Sequence, residues 1–286
     1  MLSAQRTGNT MGAEISGADL SGEMDEGTFA TILQMFLGHQ VVVFRGQHLD
    51  PQQFLRFARR FGPPEPHVLD QFHHHEHPDI LILSNVMSNG TPTGLADGGT
   101  YWHTDYSYLE IPARATLLYS IQVPQSGGDT LFSDQVAAYD DLPESMKQRL
   151  DGLMGIHLYG NRDDMDPASR TRAYPPDDRQ KQVRGIAHLR HPIVRTHPLT
   201  GRKSLYAVSG TSIGIEGMPE HEALSLLREL AAHSTQPKYQ FSVRYGIGDV
   251  VIWDNAAVLH SATLVDPDDA RTLWRITVKE RDRPRA

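Results

Sequence analysis

His103 and Asp105, in the run Trp102-His103-Thr104-Asp105, are the residues of this chain best suited to chemistry. On a strand, their i, i+2 spacing puts the imidazole and the carboxylate on one face, with Thr104 on the other. Such a pair is two thirds of the 2-His-1-carboxylate set that holds non-haem Fe(II). Tyr106, Tyr108 and Leu109 continue a strand-like pattern after it, and Gly98-Gly99-Thr100-Tyr101 forms a flexible approach before it. A third ligand is available far downstream at His260, in Trp253-Asp254-Asn255-Ala256-Ala257-Val258-Leu259-His260. Three ligands on one side of a metal leave the other side open for a cosubstrate and O₂. Beyond His260 stand Arg271 and Arg275, at the head of and within an expected strand over 272–278. Their i, i+4 spacing places both on one strand face. A guanidinium inside a β core needs an anion, and a carboxylate matches it bidentately. Taken singly, each signal is weak. A lone His-x-Asp is more often structural, a lone His260 is more often a core or turn histidine, and two strand arginines are more often a solvated face. The metal reading rests on their joint occurrence.

These residues need elements to hold them. The stripe Phe29, Ile32, Leu33, Phe36 and Leu37 predicts an amphipathic helix over 24–40. Gln40-Val41-Val42-Val43-Phe44-Arg45 reads as a buried strand, and Pro51 opens a second helix that Gly62-Pro63-Pro64 stops. Further strands are expected over 80–84, 115–123, 129–132, 239–245, 249–253 and 258–262. A hairpin is expected around Pro198-Leu199-Thr200-Gly201, flanked by 191–197 and 204–208. Short helices are expected over 134–139 and 143–153, and a longer one over 219–233. The histidine-dense stretch from His67 to His77 reads as a solvated loop. Residues 86–100 read as a lid loop beside the central motif, and the polar stretch near 160–190 as a mobile insertion. No repeat, heptad seam or dividing linker is evident. The expectation is one domain over 1–286, mainly β with flanking helices, with a β-sandwich or jelly-roll core.

Composition narrows the class. At 286 residues the chain can bury a full core, and its 39% hydrophobic and 22% charged residues suit a soluble globular protein. A net charge of −8 argues against a nucleic-acid partner. No apolar run is long enough for a membrane span, so no membrane partner is expected. There is no cysteine and no signal-like N-terminus, which makes the cytoplasm the default location. Any metal site must then use His, Asp or Glu. A small-molecule substrate is the expected partner, and a homo-oligomer is compatible with the same features.

The chain resembles the taurine dioxygenase and 2,4-dichlorophenoxyacetate dioxygenase family of Fe(II)/2-oxoglutarate-dependent oxygenases. The segments that carry the resemblance are Val43-Phe44-Arg45-Gly46-Gln47, Trp102-His103-Thr104-Asp105, Gly127-Gly128-Asp129-Thr130, Ala138-Tyr139-Asp140-Asp141-Leu142-Pro143, Val194-Arg195-Thr196-His197-Pro198, Gly248-Asp249-Val250-Val251-Ile252-Trp253-Asp254-Asn255 and His260. They follow the family's order over nearly the whole chain. The resemblance implies a double-stranded β-helix of the cupin-like jelly-roll kind. It implies His103, Asp105 and His260 as iron ligands, with Thr130 and Arg271 holding 2-oxoglutarate. Arg275 would reach the cosubstrate's other end or an anionic substrate. The implied reaction couples oxidative decarboxylation of 2-oxoglutarate, with O₂, to hydroxylation of a substrate C–H bond, releasing succinate and CO₂. Hydroxylation beside a heteroatom would lead on to C–S or C–O cleavage. Related halogenases lack the carboxylate ligand, so Asp105 points to hydroxylation.

The resemblance weakens at the expected substrate positions. His67 matches a histidine that contacts sulfonate in the family. Asp70 stands where a tyrosine is usual, Gly99 where an asparagine is usual, and Tyr108 where a phenylalanine is usual. By family, a sulfonate or a phenoxyalkanoate-like acid is the expected substrate. A larger secondary-metabolite or amino-acid-derived substrate would suit these departures. A non-oxidative, metal-binding cupin-like protein is the alternative from another class.

Overall fold

The computed structural model of the protein describes residues 1–96, 98–158 and 189–281. A seven-stranded sheet organises it, in the order Ser3–Arg6, Ala13–Ser16, Val41–Phe44, Val250–Asp254, Ala113–Gln122, Thr272–Lys279 and Leu81–Ser84. The pairings are antiparallel, except that Ala13–Ser16 runs parallel to Val41–Phe44. Every residue of Val41–Phe44 and of Val250–Asp254 is buried, so both faces of this sheet are covered.

Strand alternation divides the covering into two cores. One face carries Val42, Phe44, Leu117, Tyr119, Val250, Ile252, Ile276 and Val278. Two helices, Glu26–His39 and Pro51–Arg59, pack on it. Asp25 caps the first helix by accepting from the Thr28 N–H. Asp50 and Gln53 form a capping box on the second, with Pro51 in its first turn. Phe61 lies among the aromatic rings beneath these helices, edge-on to Phe29 at 5.2 Å, Phe36 at 5.4 Å and Phe57 at 5.5 Å.

The opposite face carries Val41, Val43, Leu118, Val251, Trp253 and Leu273. A second sheet packs against it, in the order Gln240–Val243, Thr130–Asp134 and Val258–Ala262. It contributes Phe132, Val243 and Val258 to the shared core. A third cluster joins the helices Gln135–Asp140 and Glu220–Ser234 to the hairpin formed by Val194–Thr196 and Lys203–Leu205. The chain is therefore mainly β with flanking helices, as expected. No helix among the described residues is long and apolar enough to cross a membrane.

Several expectations need correction. His103 and Asp105 are not on a strand. His103 makes one isolated bridge to His260, and the chain then turns through 105–108. Tyr106 adopts a left-handed φ of 54°, and its carbonyl accepts from the Leu109 N–H at 2.9 Å. That turn folds Tyr106 and Tyr108 into a small cluster with Ala113 instead of extending the sheet. The expected strand over 191–197 is two strands, Leu189–Pro192 and Val194–Thr196, with different partners. Strands Met154–His157 and Ser212–Ile215 were not expected, since each is short and carries a glycine that weakens the strand pattern. The expected lid over 86–100 holds a short hairpin, Met87–Ser88 with Thr91–Pro92. Leu95 then exchanges hydrogen bonds with the Leu81–Ser84 edge, to the Ile82 carbonyl at 2.9 Å and from the Ser84 N–H at 3.0 Å. The expected insertion near 160–190 lies outside the described residues except for Leu189 and Arg190.

Truncating Phe61 to alanine removes the ring that three other phenylalanines pack against. The expected loss is about 3–5 kcal/mol of unfolding free energy, read from urea denaturation curves with an unchanged slope.

Candidate active site

The space between the two sheets becomes polar toward one end. There the strand Ala113–Gln122 presents Thr116 inward, and Thr272–Lys279 presents Arg275 and Thr277 on the same side as Leu273. His260 comes from Val258–Ala262 in the opposing sheet. The bridge between His103 and His260, with N–H to carbonyl distances of 3.0 and 2.8 Å, brings the two histidines together. Asp105 arrives from the turn that follows. One ligand atom from each of His103, Asp105 and His260 lies within 4.8 Å of the others, and all three residues are buried.

The hydrogen bonds fix how each ligand is presented. His103 directs Nδ1 at the Tyr101 carbonyl, 2.8 Å away, and its ring stacks on the Tyr101 ring at 4.6 Å. With Nδ1 engaged there, Nε2 faces Asp105, at 3.7 Å from Oδ1. His260 Nε2 lies 3.7 Å from Asp105 Oδ2. Burial, followed by the neighbouring His103, pushes His260 well below the ordinary imidazole range and keeps it neutral. Burial acts to raise the Asp105 carboxyl. Arg275 first, then His260, His103 and Thr116, outweigh it and hold Asp105 far below the usual carboxylate range. Two imidazoles and one ionised carboxylate, converging in a buried pocket, fit Fe(II).

Asp105 has a fixed orientation. Thr116 donates to Oδ2 at 2.6 Å, and Arg275 Nη2 stands 2.6 Å from Oδ1. Asn255 accepts from the Asp105 backbone N–H at 3.2 Å and donates through Nδ2 to Thr116 at 3.0 Å. Its carbonyl also accepts from Thr104 at 2.8 Å. Asn255 thus braces both the backbone of the ligand turn and the hydroxyl that holds the ligand. Neither Thr116 nor Asn255 was anticipated as a site residue. The only available signal was the position of Asn255 in the Trp253-Asp254-Asn255 run ahead of His260.

A cleft of about 360 Å³, counting its open mouth, adjoins the triad. Its lining includes Gly99, Thr130, Trp253, His260, Arg271 and Arg275. Arg271 is only 9% exposed, and its Nε is buried without a hydrogen-bond partner among the described residues. Gly128, at φ +71°, makes room for it: a β-carbon there would lie 3.1 Å from Arg271 Cδ and Nε. Thr130 Oγ1 pairs with the Tyr245 hydroxyl at 2.8 Å. The predicted residues His103, Asp105, His260, Thr130, Arg271 and Arg275 therefore lie together.

The expected substrate positions divide. His67 has its ring 6.1 Å from that of Tyr106, and burial, with Arg275 next, lowers it to about 3. Tyr108 is buried edge-on to Tyr106 at 5.8 Å, and the Tyr106 ring lies 5.9 Å from the Arg275 guanidinium. Asp70 is exposed at the start of the 3-10 turn Asp70–Phe72 and is not among the described residues lining the cleft. Gly99, at φ +118°, lies against a metal-ligand candidate: a β-carbon there would be 2.4 Å from His103 Cε1 and 3.0 Å from Nε2. Its glycine is required by the imidazole.

Residues 3–277 match the family model described as "Taurine catabolism dioxygenase TauD, TfdA family". The chain belongs to this family. It is a dioxygenase by that membership. It is 37% identical over 248 residues to the alpha-ketoglutarate-dependent 2,4-dichlorophenoxyacetate dioxygenase of Burkholderia sp. (strain RASC), covering 83% of this chain and 80% of that protein. It is 31% identical over 277 residues to pentalenolactone F synthase of Streptomyces arenae, covering 94% and 92%. Among solved structures, AAD-2 in complex with Mn(II) and N-oxalylglycine superposes with a TM-score of 0.82 at 27% identity, covering 99% of each chain.

Replacing Thr116 by valine removes the hydroxyl that holds Asp105 Oδ2 while keeping the side chain's shape. The dissociation constant for a divalent probe ion such as Mn(II) should rise roughly 10–100-fold, as measured by metal titration of the apoprotein. Gly99→Ala should weaken the same binding by displacing His103, and undiminished affinity would refute that contact.

Proposed function

We propose that this chain is an Fe(II)- and 2-oxoglutarate-dependent dioxygenase that hydroxylates a C–H bond of a small organic acid with O₂, releasing succinate and CO₂. The observation that carries the reading is the buried His103-Asp105-His260 triad beside Arg271, a buried arginine whose Nε has no partner among the described residues. A hydrolytic or sensory metal protein has no need of such an arginine. Names of similar proteins that specify alpha-ketoglutarate dependence support the same conclusion. We read the two facing sheets as a double-stranded β-helix, a cupin-like jelly roll, and residues 1–286 as one catalytic domain.

In this reading His103 Nε2, an Asp105 oxygen and His260 Nε2 hold the iron. Bound iron and 2-oxoglutarate supply the oxygen activation, with the cosubstrate oxidised to succinate and CO₂ as the substrate gains its hydroxyl. Arg271 pairs with the distal carboxylate of 2-oxoglutarate, and Thr130 donates to it. Asp105 stays ionised because Arg275 and Thr116 stabilise its charge. The surrounding burial keeps water from competing for these charges.

Charge balance indicates the substrate class. A divalent metal with Arg271 and Arg275 exceeds the single negative charge of Asp105 by three. 2-Oxoglutarate brings two negative charges, and a monoanionic substrate brings the third. Arg275 is the cation left for that substrate; the Tyr106 ring lies 5.9 Å from it, and Tyr108 and His67 pack on Tyr106. The Tyr106 ring beside this guanidinium suits an aryloxyalkanoate, whose aryl group can pack on it, better than a small alkyl sulfonate. The exposure of Asp70 removes the repulsion that would otherwise disfavour an anion.

The test is substrate-coupled succinate formation over a panel of phenoxyalkanoates, alkyl sulfonates and sulfate esters. Phenoxyalkanoates are expected to lead, and no 2-oxoglutarate-dependent succinate with any acid would sink the proposal. Arg271→Ala should raise the 2-oxoglutarate dissociation constant roughly 10–100-fold, the loss of a hydrogen-bonded charge pair, while metal affinity holds. Anaerobic titration of the Fe(II) protein, followed by its metal-to-ligand absorption, measures the first.

A further inference from the structure

Tyr245 is a buried phenol that neither the triad nor the cleft lining accounts for. It sits behind two residues that do line the cleft. Its hydroxyl is 2.8 Å from Thr130 Oγ1, and its ring centre is 5.9 Å from the Arg271 guanidinium carbon. We propose that Tyr245 is a positioning residue for the cosubstrate's distal carboxylate: it orients the Thr130 hydroxyl as a donor into the cleft and walls the Arg271 side chain. This rests on the 2-oxoglutarate reading above.

Which of the two hydroxyls donates decides where the Thr130 hydrogen points. Burial pushes the Tyr245 phenol up to about 12, so it keeps its proton. A phenol is more acidic than an alcohol and is the better donor of the two. When Tyr245 donates, a Thr130 lone pair is used and the Thr130 hydrogen is left to point elsewhere. Thr130 shares the core between the sheets with the cleft, where a carboxylate could only accept. A two-hydroxyl chain ending on an anion strengthens along its length, because each donor is polarised by the one behind it. A valine at 130 could not complete the chain, and a phenylalanine at 245 would leave the Thr130 hydroxyl free to rotate.

The ring contributes separately. Arg271 is desolvated, and that burial lowers its tendency to hold a proton, which Tyr245 and then Asp129 oppose. Gly128 closes on Arg271 Cδ and Nε, while the Tyr245 ring flanks its guanidinium. Between them the side chain is confined before any ligand arrives, which lowers the ordering cost of binding.

A core-filling tyrosine would affect stability alone. A positioning tyrosine affects one end of one ligand, and that difference is measurable. Anaerobic titrations of the Fe(II) protein would compare 2-oxoglutarate with pyruvate, a 2-oxo acid that lacks the distal carboxylate. Tyr245→Phe is expected to raise the 2-oxoglutarate dissociation constant about tenfold and to leave that for pyruvate unchanged. Thr130→Val is expected to raise it at least as much, and the double variant to be no worse than Thr130→Val alone. An unchanged 2-oxoglutarate constant in Tyr245→Phe would overturn the proposal. So would penalties that multiply in the double variant, or an equal loss of pyruvate binding. Wild-type protein that binds no 2-oxoglutarate would overturn the cosubstrate reading itself, and this inference with it.

Discussion

The ion pair between Asp105 and Arg275 is the interaction on which the rest of the site depends. A carboxylate buried between two sheets is costly unless its charge is matched and its lone pairs are used. Arg275 matches the charge at 2.6 Å, and Thr116 occupies the second oxygen at 2.6 Å. Both come from the inner face of the large sheet, on strands that pair with each other in register. The sheet is thus more than a scaffold behind the ligands: its pleat places the groups that allow an ionised Asp105 to exist there. Removing the arginine would leave a buried carboxylate with one hydrogen-bonding hydroxyl, from Thr116, and two imidazoles 3.7 Å away among the described residues. Adding a divalent metal reverses the problem, since a cation now faces Arg275 across Asp105. A second anion beside the guanidinium would relieve that opposition, so in the proposed reading the metal site and an acidic substrate form one electrostatic unit.

How far this could be read from sequence depends on how chemically distinctive each residue is. His103, Asp105, His260 and Arg271 were legible because few roles unite those types in that order. Tertiary context overrode local pattern at the ligand turn. Tyr106, Thr104 and Tyr108 favour a strand by propensity, yet Tyr106 is left-handed and the chain turns. The facial arrangement expected from a strand is reached by a single bridge and a turn instead. Thr116, Asn255 and Tyr245 were illegible for a different reason. Each is one polar residue in or beside a strand, and its role exists only through register. Thr116 pairs with Trp253 on one side and Thr277 on the other, which sets it next to Asn255 and beneath Asp105. Nothing in the neighbouring residues announces that.

Close backbone approach is the second constraint. His103 is held between two glycines. A β-carbon at Gly99 would strike its Cε1 at 2.4 Å, and one at Gly210 would strike its Cβ at 2.8 Å. Both glycines have positive φ, at +118° and +81°, so space and backbone conformation demand the same residue. The result is an imidazole gripped by main chain, stacked on Tyr101 and hydrogen-bonded to the Tyr101 carbonyl. Gly99, which lines the cleft, thereby also supports His103. The absence of a side chain there does widen the cleft, but as a consequence of packing against His103.

The two halves of the site differ in how they are built, and that difference bears on substrate choice. In the proposed reading the metal and cosubstrate half rests mainly on sheet residues: Thr116, Thr130, His260 and Arg275 lie on paired strands, Arg271 is at the entry to one, and His103 and Asp105 are braced against them. A change there disturbs register or a buried charge, so the half is constrained as a block. The other half, in the proposed reading, comes from His67, Tyr106 and Tyr108, which lie outside the strands. Those segments can change side chains without moving a ladder of hydrogen bonds. A shared iron and 2-oxoglutarate chemistry can then serve different acids, and relatives bearing different names are what such a division permits. In this chain the variable half places the Tyr106 ring 5.9 Å from the Arg275 guanidinium, so under the proposed reading selectivity would follow from the shape and polarisability of the group attached to the acid more than from the acid itself.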